Sequence, residues 1–172
     1  AHMRPDASEC NWPGVQCRST TNELEVTHLD WSMRGLSGTV PSEVRGLRSL
    51  LEVNLASNSL TGSMPQWGSD DLFWVDVSNN TFSGTLESFW QLPMLRFVYL
   101  HDNKFSGDFP ADANPDMLVD CWLQQNQLGG GLPTAWEMPD LQTWRSWGNQ
   151  LTGSLWQDPP STLVQMDTSQ NY

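Results

Sequence analysis

From residue 26 onward the apolar residues fall into one recurring pattern. In the run Leu50-Leu51-Glu52-Val53-Asn54-Leu55-Ala56-Ser57-Asn58-Ser59-Leu60-Thr61-Gly62-Ser63-Met64-Pro65, apolar side chains occupy positions 1, 4, 6, 11 and 15. Asn stands at 9, Gly at 13 and Pro at 16. An earlier copy reads Val26, Leu29, Trp31, Leu36, Gly38, Val40 and Pro41, with Arg34 in the place of Asn. Later copies carry Val75, Val77, Asn80, Phe82, Gly84 and Leu86, then Val98, Leu100, Asn103, Phe105, Gly107 and Phe109. Cys121, Leu123, Asn126, Leu128, Gly130 and Leu132 follow. The sixth copy holds Trp144, Asn149, Leu151, Gly153 and Leu155, with Ser146 at a usual Leu position, and Met166 to Asn171 begin a seventh. The glycines at 38, 62, 84, 107, 130 and 153 lie 22 to 24 residues apart, the mark of a repeat array.

Each position has a physical task. Side chains alternate along a strand, so the apolar pair at 4 and 6 points inward from a short strand, and such strands stack in parallel along one face of a coil. Asn at 9 donates and accepts at once, which suits it to satisfy turn backbone in neighbouring coils. An unpaired buried group there costs roughly 1–3 kcal/mol. Gly at 13 admits backbone that other residues resist, and Pro at 16 fits irregular or extended chain.

This string, L-x-x-L-x-L-x-x-N-x-L-x-G-x-(L/I)-P, resembles the plant-type leucine-rich repeat. Cys10-Asn11-Trp12-Pro13-Gly14-Val15-Gln16-Cys17 is similar to the capping motif C-x-W-x-G-V-x-C that precedes such arrays. A Trp about three residues after the Pro position, in Pro133-Thr134-Ala135-Trp136 and near Ser88-Phe89-Trp90, resembles kinetoplastid surface-antigen repeats. The resemblance implies an α/β-type repeat solenoid, a right-handed coil. It would have a short parallel sheet on the concave face and a mostly irregular or 3-10 convex side. The expected division is vector residues at 1–3, an N-terminal cap over 4–25, and about six and a half repeats over 26–172. The array is expected to be truncated at its C-terminal end, where an uncapped coil could self-associate. Family members are receptor ectodomains, inhibitors and surface antigens, so the resemblance is specific for fold and open on function.

Composition narrows the partner. Net charge is −12, from 20 acidic and 8 basic residues, which argues against nucleic acid and anionic membranes. No apolar run is long enough to span a bilayer, so no direct membrane insertion of this fragment is expected. Cys10 and Cys17 bracket the cap; a disulfide there fits an oxidising compartment, with a metal pair or a reduced pair as the rival readings. Cys121 sits at an inward strand position and reads as a small hydrophobe. Asn79-Asn80-Thr81 is a sequon with Asn79 as acceptor.

Of the 10 tryptophans, Trp31 and Trp144 take core positions, Trp12 belongs to the cap, and Trp67, Trp90, Trp136 and Trp156 fit the convex side. Strand positions 3, 5 and 7 face the other way, onto the concave surface. They bring out Trp74, Phe97, Tyr99, Trp122 and Trp147 on adjacent coils, with Asp76, His101, Asp120 and Arg145 beside them. Exposed rings of this kind mark interaction sites.

No Ser-His-Asp set, metal-ligand spacing or phosphate loop stands out, so neither catalysis, metal nor cofactor is expected. An ice-binding face ranks last, because the outward strand positions show no Thr ladder. The reading is an extracellular or cell-surface module that binds a protein, or a glycan, through an aromatic, acidic-rimmed concave face. The alternative is a structural or adhesive coat element.

Overall fold

The computed structural model describes residues 9–21, 23–110, 116–132 and 138–172. Residues 1–3 and the Trp136 stretch lie outside them. A 3-10 turn at Glu9–Asn11 leads into β1 (Val15–Ser19), which pairs antiparallel with β2 (Leu24–Asp30). Cys10 and Cys17 are joined as a disulfide across this cap, which resolves the three readings of the pair. Gly14 has φ +87°, and a Cβ there would fall on the Asp30 carbonyl oxygen. The Gly14 carbonyl in turn accepts the Asp30 N–H at 2.7 Å, so the glycine is what lets the cap close onto β2. By the chain-entropy argument the crosslink contributes roughly 2–3 kcal/mol. A double Cys10→Ser/Cys17→Ser variant is accordingly expected to unfold at lower denaturant. Equal midpoints for variant and parent in a urea titration would contradict that stabilising role.

After the cap the chain repeats one coil. β2 is followed in the first sheet by β4 (Glu52–Asn54), β6 (Trp74–Asp76), β8 (Phe97–Tyr99), β10 (Asp120–Trp122), β12 (Thr143–Arg145) and β13 (Gln165–Asp167), all parallel. The register is strict: Leu29, Val53, Val75, Val98, Cys121, Trp144 and Met166 stand in one inward row. All but Met166 are buried. Cys121 is fully enclosed, and burial pushes its thiol well up, so it packs as the small hydrophobe its position called for.

A second sheet, which the repeat pattern did not announce, runs along the coils just past the Asn turn. It consists of β3 (Ser37–Thr39), β5 (Ser59–Ser63), β7 (Thr81–Gly84), β9 (Lys104–Gly107) and β11 (Gln127–Leu128). Outside the two sheets the described repeats carry only the 3-10 turn Ser42–Gly46 and the four-residue helix Glu87–Trp90, the mostly irregular side that the resemblance implied. Four of the repeat glycines pair with the next coil's inward apolar residue: Gly38 with Leu60, Gly62 with Phe82, Gly84 with Phe105 and Gly107 with Leu128. This sheet also brings exposed Thr39, Thr61 and Thr81 into one row, a Thr ladder that the concave positions lack. The hydroxyls of Thr61 and Thr81 donate to the Gly38 and Leu60 carbonyls of the preceding coil, at 3.2 and 3.0 Å, so they serve the stacking itself.

Between the sheets lies one continuous core. Its second layer is Leu50, Leu72, Leu95, Leu118 and Leu141, all nearly inaccessible to water. Phe82 and Phe105 stack at 6.2 Å, and Phe89, from the short helix α1 (Glu87–Trp90), meets Phe105 edge-on at 5.8 Å. Trp144 is fully buried and Trp90 nearly so. Trp67 and Trp156 pack against the core from its rim, as their place after the Pro position predicted. Trp31 is only partly buried, contrary to expectation, because its indole reaches out to the cap and donates to the Pro13 carbonyl at 3.2 Å.

The Asn residues perform the predicted task coil after coil. Each side-chain oxygen accepts a main-chain N–H of the preceding coil: Asn58 from Leu36, Asn80 from Leu60, Asn103 from Phe82, Asn126 from Phe105, Asn149 from Leu128 and Asn171 from Leu151, at 2.9–3.0 Å. Each side-chain nitrogen donates to carbonyls of its own coil and the one before, as Asn103 does to Leu100 and Val77.

Candidate functional site

The first sheet's other face carries three rows of side chains, set by the same register. The first row runs His28, Glu52, Trp74, Phe97, Asp120, Thr143, Gln165; the second runs Asp30, Asn54, Asp76, Tyr99, Trp122, Arg145, Asp167. Ser78, His101, Gln124 and Trp147 follow at the strand ends. Adjacent strands lie about 4.8 Å apart, so neighbours within a row touch.

The predicted rings converge. Trp74 meets Tyr99 with centroids 5.8 Å apart, Tyr99 meets Trp122 edge-on at 5.2 Å, and Trp122 meets His101 at 5.6 Å. Arg145 lays its guanidinium over Trp122, 4.0 Å from the ring centroid, and donates to the Gln165 side-chain oxygen at 2.8 Å. Tyr99 donates its hydroxyl to Asp120 at 3.3 Å. Phe97 stands between Trp74 and Asp120 in the first row, with Arg96 6.0 Å from its ring, and Trp147 lies beyond Gln124. Every one of these residues is part-exposed, save Gln124, which is 7% exposed.

Burial, then the Asp120 charge, pushes the Tyr99 phenol up to about 12, so it remains a neutral donor at any physiological pH. Burial lowers the pKa of His101, which favours the uncharged ring, although Asp102 and Asp76 pull the other way.

Two features escaped the sequence reading. Asp76, taken as rim, turns back on its own strand: it accepts the Ser78 N–H at 2.9 Å and the Ser78 hydroxyl at 2.6 Å. Asp30 with Ser32 and Asp167 with Ser169 repeat this turn, and Asn54 does the same for Ala56, so position 5 favours a short side-chain oxygen for a structural reason. The second feature is a set of buried polar atoms without a hydrogen-bond partner: His101 Nδ1, Trp122 Nε1, Gln124 Oε1 and Arg145 Nε. Gln124 was read as outward-facing yet not picked out, since its signal is burial, which spacing does not reveal.

Asn79 is exposed, with φ +53°, on the turn that follows β6. No helix among the described residues is long and apolar enough to cross a membrane.

Comparison with known proteins places the array. No protein-family model matches the chain. It is 41% identical over 89 residues to receptor-like protein kinase 7 of Arabidopsis thaliana, covering 50% of this chain and 9% of that protein. It is 30% identical over 151 residues to pollen receptor-like kinase 2 of the same plant, covering 85% of this chain and 19% of the relative. Among solved structures, the leucine-rich-repeat ectodomain of the Arabidopsis receptor kinase SOBIR1 superposes with a TM-score of 0.74 at 29% identity, covering 81% of this chain and 82% of that one. The fold is that of a leucine-rich repeat solenoid, and the chain is similar to plant receptor-like kinases. The kinetoplastid resemblance is not supported; of the two tryptophans that carried it, Trp90 is buried in the core and Trp136 lies outside the described residues. The plant peptide hormone receptor RGFR1, solved in complex with RGF2, superposes with a TM-score of 0.72 at 28% identity, covering 78% of this array and 23% of the receptor. The array spans less than a fifth of the length of the curated relatives it matches.

Proposed function

We propose that this array is an extracellular protein-binding module whose partner docks on the concave face. The observation that carries the reading is the contact chain from Trp74 through Tyr99 and Trp122 to His101, held part-exposed on three adjacent strands. Large rings on a solvated sheet face lose apolar hydration only when something covers them, and aromatic anchors of this type dominate protein interfaces. Relatives that are receptor ectodomains solved with peptide and protein partners support a protein rather than a small molecule. The cap disulfide suits an oxidising, extracellular setting, and Asn79 then becomes a glycan acceptor at the edge of the face.

Trp122→Ala and Tyr99→Ala each remove a ring from the middle of the patch and none from the core. Each is expected to weaken partner binding by a factor of roughly 30 or more, as for a hot-spot residue of about 2 kcal/mol, with little change in unfolding midpoint. The partner is first captured from extracellular proteins on the immobilised array, in parallel with a glycan array. Binding that survives both substitutions would move the site off this face. Clean blanks in both screens would leave the coat-element reading.

A further inference from the structure

We infer that the partner presents a basic segment, and that one of its lysine or arginine side chains sits on the rings of Trp74 and Tyr99 beside Asp76. This rests on the concave-face reading above and deepens it. The first two rows of the face hold Asp30, Glu52, Asp76, Asp120 and Asp167 against Arg145, with His28 in the first row, His101 at a strand end and Arg96 beside the Phe97 ring. His28 stands 3.7 Å from Glu52, and burial favours the uncharged form of His101. A ligand carboxylate entering here meets its own sign; a cation meets five carboxylates, in keeping with the −12 charge of the chain.

The face already shows how it holds a cation. Arg145 lies on the Trp122 ring at 4.0 Å, on strands paired in register. Two coils earlier Trp74 and Tyr99 form a second ring pair, set diagonally across β6 and β8, where the in-register partner of Trp74 is Phe97. Trp74 and Tyr99 meet at 5.8 Å with their planes inclined by 59°, so neither ring stacks flat on the other's face, and both are part-exposed. Asp76 pairs with Tyr99 across the sheet, and Asp120 takes the Tyr99 hydroxyl. Ring faces with adjacent carboxylates suit an ammonium or guanidinium group. A protein segment is the source that fits, because the rows extend over seven parallel strands and would receive an extended chain along their length.

The test is selection of short random peptides displayed on phage against the immobilised array, with Trp74→Leu and Asp76→Asn arrays as comparators. Asp76→Asn keeps the oxygen that accepts the Ser78 N–H and removes only the charge. The expected result is peptides enriched in lysine or arginine that bind either variant more weakly, on the order of tenfold. Replacing the key lysine by norleucine should weaken binding to the parent array by a similar factor. Peptides that lose binding on Trp122→Ala but carry no basic enrichment, or ignore Asp76→Asn, would overturn this inference and leave the concave face as the site. Basic peptides whose binding is indifferent to Trp74, Tyr99 and Trp122 would overturn both.

Discussion

Asn126→Ala is expected to lower the stability of the array by about 2–4 kcal/mol, a large share of what a domain of this size has to spare. Asn126 is 8% exposed and serves two coils at once. Its Oδ1 accepts the Phe105 N–H at 2.9 Å, and its Nδ2 donates to the Leu100 and Leu123 carbonyls at 3.0 Å. Those carbonyls keep a second donor, from Asn103 and Asn149 respectively, whereas the buried Phe105 N–H loses its acceptor outright. The orphaned donor and the small cavity left behind set the magnitude. Asn126→Asp retains the acceptor but turns a carboxylate onto carbonyl oxygens. That carboxyl is neutral when folded and ionised when unfolded, so the deficit of N126D should shrink as pH falls. Urea unfolding across a pH series reads both variants. A loss below about 0.5 kcal/mol for Asn126→Ala would mean that the Asn ladder is ornamental to stability.

The second large effect lies at Trp144 and Ser146, where two inward positions depart from the repeat together. Trp144 is fully buried, its indole N–H donates to the Ser146 hydroxyl at 3.0 Å, and the ring packs against Phe109 and Trp156 at 5.7 and 5.2 Å. The small serine makes room for the large indole and satisfies its one polar atom. Trp144→Leu alone empties that volume, at a cost of about 2–4 kcal/mol. Ser146→Leu alone overfills the same space and orphans the indole N–H, at about 2–3 kcal/mol. Together they restore the aliphatic pair seen at Val98 and Leu100 one coil further back than Cys121. The double variant should therefore recover at least about 1–2 kcal/mol of the summed loss, well above the scatter of independent sites. Additive losses in a double-mutant cycle would show that the two departures are unconnected.

The inward half of the molecule was legible because a recurring coil repeats its demands. Leu29, Val53, Val75, Val98 and Cys121 are inward for one reason, that a strand alternates, and Trp144 at the same position could be placed before any coordinate existed. The Asn role was equally readable, since a side chain that donates and accepts at a fixed offset from a strand has few other uses. The second sheet was not. Ser59-Leu60-Thr61-Gly62-Ser63 shows one buried side chain among polar ones, and its pairing exists only once coils are stacked. Even the register there, two residues off the repeat, follows from stacking. In the candidate site, the rows of Trp74, Phe97, Tyr99 and Trp122 could be listed from the sequence, because outward is the complement of inward. Which of them touch, and that Asp76 spends its oxygen on Ser78, could not.

Period and alternation thus determined, without coordinates, the solenoid, its buried rows and the identity of the residues on its open face. Both are properties of chain geometry that every coil shares. Stacking alone decided that Arg145 rests on Trp122, that Gln124 is enclosed with an unpaired oxygen, and that Trp74 meets Tyr99, the cross-strand partner of Asp76. Those contacts join residues about one repeat apart along the chain, and side-chain rotamers settle them only after neighbouring strands have brought their rows within reach.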